Sequence, residues 1–76
     1  MSETMTQLRD VSNRTARSMI AVIDAMTQRG AIKGEELSTI GGLRDQSIQI
    51  IQLAEQVEQE EAMEAAEEAA ESEKSA

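Results

Sequence analysis

Two apolar stripes recur at steps of three and four residues. They are separated by the glycine-bounded link Gly30-Ala31-Ile32-Lys33-Gly34. This arrangement constrains the fold more than any other feature, because steps of three and four return to one face of an α-helix. Proline is absent from all 76 residues, so no pyrrolidine ring interrupts either stripe. Connections of about 2–8 residues between helices usually join antiparallel neighbours. The expectation is an all-α fold: an antiparallel two-helix hairpin with helices over about residues 3–29 and 35–61 and a turn at 30–34.

In the first stripe Met5, Leu8, Met19, Val22 and Met26 share one heptad frame, with Ser12 and Thr15 at its two remaining positions. Val11, Ala16, Ile20 and Ile23 widen it. Gly30 follows at the position where a helix commonly ends in a left-handed residue, and Ile32 is expected to fold back over the end of the hairpin. The second stripe is Ile40, Leu43, Ser47, Ile50, Ala54 and Val57. Leu37 and Ile51 flank it on one side and Leu53 on the other, with Ile48 further round. This arc covers more than half of the helix circumference, whereas a helix touching one neighbour needs a stripe of roughly 100°. The excess predicts a second contact surface on helix 2. Residues near the middle of the arc, Ile50 among them, are expected inside the hairpin, and edge residues such as Ile48 and Leu53 against another subunit or partner. Interface candidates are therefore Leu37, Ile40, Leu43, Ile48, Ile50, Ile51, Leu53 and Val57 on helix 2, with Met19, Val22 and Met26 on helix 1. Gly41-Gly42 lies within helix 2 and marks a bend, a close backbone approach or a tolerated weak point.

A short chain buries a modest core and leans on disulfides, metals or oligomerisation. Cys and His are absent, so oligomerisation or docking on a larger assembly remains. The same inventory argues against an enzyme. Without imidazole, thiol or phenol, most routes to proton transfer and covalent catalysis near pH 7 are closed. The hydroxyls have no recognisable activating base, and neither the Glu-x-x-His pairs of di-iron bundles nor a calcium-loop ladder is present. No catalytic residue, metal site or cofactor is expected.

Charge is unevenly placed. Residues 1–34 carry five bases and three acids, for +2; residues 35–76 carry two bases and twelve acids, for −10, giving −8 in all. A net negative surface disfavours direct nucleic-acid binding. Arg9, Asp10, Arg14, Arg17 and Asp24 lie off the main apolar arc of helix 1. In a hairpin turning about residue 32, positions p and about 64−p come level, which sets Arg9 beside the region of Glu55 and Glu58. Residues 62–76 are almost entirely Glu, Ala and Ser with Met63 as the one large apolar side chain. This acidic tail reads as a solvated continuation of helix 2 that frays or is disordered. The N-terminus lacks the pattern of a signal peptide and no apolar run approaches a membrane span. The expected location is the cytoplasm of a host cell, or a particle assembled there.

The stretch Gln28-Arg29-Gly30-Ala31-Ile32-Lys33-Gly34-Glu35-Glu36-Leu37, with Ser38-Thr39-Ile40-Gly41-Gly42-Leu43-Arg44-Asp45-Gln46 after it, resembles the turn region of small acidic helical-hairpin proteins of tailed bacteriophages. The acidic tail is outside that pattern. The resemblance implies a virion or assembly accessory protein and supplies no catalytic residues. A competing expectation is an acidic regulator or inhibitor that mimics nucleic acid and binds a basic surface on a host protein.

Overall fold

A computed structural model describes the backbone of residues 2–75 and the side chains of residues 2–73. Two helices make up the fold: α1, Glu3–Gln28, and α2, Glu36–Ser75. Ser2 caps α1, its hydroxyl accepting the Met5 N–H at 3.1 Å and so satisfying one of the orphan donors of the first turn. At the other end Gly30 is left-handed at φ 72°. The Gly30 N–H donates to the Thr27 carbonyl and the Ala31 N–H to the Met26 carbonyl, both at 3.0 Å. This paired closure satisfies the last carbonyls of α1 and turns the chain back. Gly34, at φ 50°, completes the link, and the buried Ile32 seals the turn.

α2 runs unbroken through Gly41-Gly42 and through the Glu/Ala segment to Ser75. A Cβ at either glycine would meet nothing within 4 Å, so neither marks a close backbone approach within the hairpin. The expected tail reaches residue 76, which lies outside the described residues. Forty helical residues at roughly 1.5 Å each account for the long axis. The molecule measures 64 × 17 × 16 Å.

The helices are antiparallel and meet along a narrow seam. Ala16 and Ile23 of α1 and Ser47 and Ala54 of α2 are buried. The Ser47 hydroxyl donates to the Leu43 carbonyl at 2.9 Å and lies 4.0 Å from Met19 Sδ. Bonding back to its own helix lets a polar side chain sit at 1% exposure without an unpaired group.

Two expectations are corrected here. The inward face of α1 is centred on Ala16 and Ile23, which sequence periodicity had placed at the side. The heptad frame of Met5, Leu8, Val22 and Met26 is exposed. Arg9, expected off the apolar arc, lies on the inward face with a side chain 13% exposed, and it pairs with Glu61. The register also differs: contacts join Met19 with Ser47, Asp24 with Arg44 and Arg17 with Glu55. Each pair lies further from the turn on α2 than p and 64−p allow. The reason is geometric. Cα–Cβ bonds tilt toward the N-terminus of a helix, which is away from the turn on α1 and toward it on α2.

Candidate functional site

Two flanks run along the hairpin on either side of the buried seam, and they differ in chemistry. One is ionic. The Arg44 guanidinium donates to both oxygens of Asp24, at 2.9 and 3.2 Å, in the two-pronged geometry that suits a planar carboxylate. This bond holds the Asp24 carboxyl below its ordinary value and raises Arg44 above its own. About two turns further along α1 from the loop, Arg17 donates to Asn13 at 3.0 Å and to Glu55 at 3.3 Å. Arg9 bonds both Asp10, at 3.1 Å, and Glu61, and the Glu61 bond is the main cause of its raised affinity for its proton. The second Glu61 oxygen is shielded and has no hydrogen-bond partner among the described residues. Arg9 is therefore what allows Glu61 to sit half-buried.

The other flank is apolar. On α1 it is Leu8, Val11, Met19, Val22 and Met26, with Ser12, Thr15 and Ser18 between them. On α2 it is Leu43, Ile50, Leu53 and Val57, with Thr39 and Gln46 between them. Those spacings keep each set on one side of its helix. Leu8 is 60% exposed, Val22 57% and Leu53 54%. Toward the turn the flank opens into a groove of about 570 Å³ between Met19, Val22 and Met26 of α1 and Ile40 and Leu43 of α2, with Arg14 also lining it. Isolated exposed apolar residues are ordinary; a continuous set shared by two helices is the informative case.

The interface candidates divide accordingly. Met19, Val22, Met26, Ile40, Leu43, Ile50, Leu53 and Val57 fall on the apolar flank or the groove. Ile48 and Ile51 are half-buried on the ionic side, where Leu37 is exposed at the start of α2. Ile50, expected inside the hairpin, is more than a third exposed. Leu8 and Val11 extend the flank toward the N-terminus and were not among the candidates. Their signal in the sequence is Leu8's place in the heptad frame of α1 and Val11's place beside it.

Among the described residues no group of three or more carboxylates is placed to hold a metal ion, and no helix is long and apolar enough to cross a membrane. No protein-family model, curated protein or solved structure matches the chain.

Proposed function

We propose that this chain is a non-enzymatic structural or interaction protein that acts by docking its apolar flank against another protein surface. The observation that carries the reading is the contrast between the two flanks. One side of the hairpin is closed by ion pairs, while the other leaves Leu8, Val11, Val22 and Leu53 in water. Burial of such surface is the main favourable term in protein association. The turn resemblance supplies the setting, a virion or assembly accessory role in a tailed phage, in the host cytoplasm or the particle itself.

A second reading has its own observation. Beyond Val57 the exposed face of α2 presents Glu58, Glu60, Glu64, Glu67 and Glu68. Such a rod could act as a nucleic-acid mimic toward a basic host protein through long-range attraction. Salt separates the two readings. Association through the apolar flank persists from 0.1 to 1 M NaCl, because screening acts on charges. Val22→Asp and Leu53→Asp abolish it while leaving the hairpin folded. Association that disappears at high salt and survives both substitutions would refute the docking reading and favour the mimic.

A further inference from the structure

We infer that the occupant of the apolar flank is a second copy of this chain, packed with its turn at the opposite end to form an antiparallel four-helix bundle. The inference rests on the docking reading above and names its partner.

Charge distribution is the first argument. A chain of net charge −8 repels its own copies over most of its surface. The acids and bases within residues 4–28 are Arg9, Asp10, Arg14, Arg17 and Asp24; those within 39–57 are Arg44, Asp45 and Glu55, and Glu60, one heptad beyond Leu53, ends the flank on α2. Their helical spacing places all but Arg14 and Glu60 on the seam, the ionic flank or the outer surface; Arg14 lines one side of the groove. The apolar flank is the face along which two copies meet with the fewest charges to strip of water, a cost that would otherwise be large, and the long stem of Arg14 lets its guanidinium stay in solvent. A basic partner would find only Glu60, at the end of the flank, to pair with.

Area is the second argument. The exposed parts of Leu8, Val11, Val22, Met26, Ile50 and Leu53 amount to on the order of 500 Å², near the upper end of the largest patches that monomers carry. Met5, the half-buried Met19, Leu43 and Val57, and the intervening Thr15, Ser18 and Gln46 bring the flank toward the roughly 800 Å² per partner of a standard interface. A two-fold arrangement uses the same patch twice and needs no separately matched surface.

Two stacked hairpins can place their turns together or apart. Turns together would set the two Glu-rich ends of α2 side by side, and like charges repel. Turns apart separate those ends and lay α1 on α1 and α2 on α2. The axis then falls near Thr15 and Leu53. Leu8 and Val11 of one copy lie over the groove beside Met19 and Val22 of the other.

The chain has no Cys, so a single introduced thiol reports the arrangement without background. Sedimentation of the full chain at tens of micromolar should give the mass of two chains. Val22→Asp and Leu53→Asp, each shown by circular dichroism to remain helical, should give the mass of one. Thr15→Cys should be linked into dimers by a short bismaleimide, whereas Ala21→Cys, about 120° round α1 and off the flank, should not. A wild-type chain that sediments as one molecule overturns the second copy as occupant and leaves docking to a different protein standing. A two-chain mass that survives both Asp substitutions overturns the flank as the docking surface, and the functional reading with it. Dimers linked through Ala21→Cys and not through Thr15→Cys overturn the antiparallel arrangement.

Discussion

Adjacent residues Val22 and Ile23 lie about 100° apart on α1, and truncating each to Ala separates the buried seam from the open flank. Ile23 is 7% exposed and packs between the helices. Ile→Ala at a core position costs about 2–5 kcal/mol through lost transfer energy and the cavity left behind. Ile23 also borders the open groove, where water refills part of the space, so the low end applies: about 2–3 kcal/mol. For a domain of this size each kcal/mol lowers Tm by about 4–8 °C, which predicts a fall of roughly 10–20 °C. The exposed Val22 loses little on truncation in the isolated hairpin, under about 1 kcal/mol. Thermal melts followed at 222 nm in dilute solution test both. The Ile23→Ala depression should not depend on protein concentration, while any Val22→Ala effect should grow with it. If Ile23→Ala lies within about 0.5 kcal/mol of wild type, or Val22→Ala is the more damaging in dilute solution, the seam has been placed on the wrong face of α1.

Three further outcomes are expected. Gly41→Ala should stabilise the chain by about 0.8–1 kcal/mol, since the position is helical and a Cβ there meets nothing, and urea denaturation will show the gain. Gly30→Ala should destabilise it by about 1 kcal/mol by the same assay, because the left-handed backbone at φ 72° disfavours a Cβ. The Asp24–Arg44 pair should make stability fall in acid. Its hydrogen bond lowers the folded-state value of Asp24 below the ordinary 3.8, so its contribution is fully present above that value and is lost as pH falls through the folded value. Denaturation curves from pH 7 to 2 should show the gap between wild type and Asp24→Asn constant above about pH 5 and closing below it.

Helix number, the turn and its glycines were legible because each rests on local chemistry: apolar period, left-handed closure and the absence of proline. Which stripe of α1 faces inward was not. The larger side chains Met5, Leu8, Val22 and Met26 suggested one face, but packing used Ala16 and Ile23 against Ser47 and Ala54. Periodicity identifies an apolar arc and does not say which part of a wide arc meets the neighbour. Ionic partners on the other helix narrow that choice. Asp24 with Arg44 and Arg17 with Glu55 lie together along one flank, and Arg9 reaches Glu61 across the seam. Those pairs could have been found from sequence only with the register in hand, and the register depends on the tilt of side chains. The excess apolar width on α2 was visible in the sequence; that it joins a matching stripe of α1 into one flank required the helices to be set side by side.

The central claim is that the flank shared by α1 and α2 is the surface this chain uses to associate. Methyl relaxation by a soluble paramagnetic agent, measured on the full chain across a range of concentrations, tests it residue by residue. The methyls of Leu8, Val11, Val22, Ile50 and Leu53 should become shielded together as concentration rises, while those of Leu37 and Ile48 stay as accessible as before. Shielding that appears at Leu37 and Ile48 with the flank still open to the agent would contradict it.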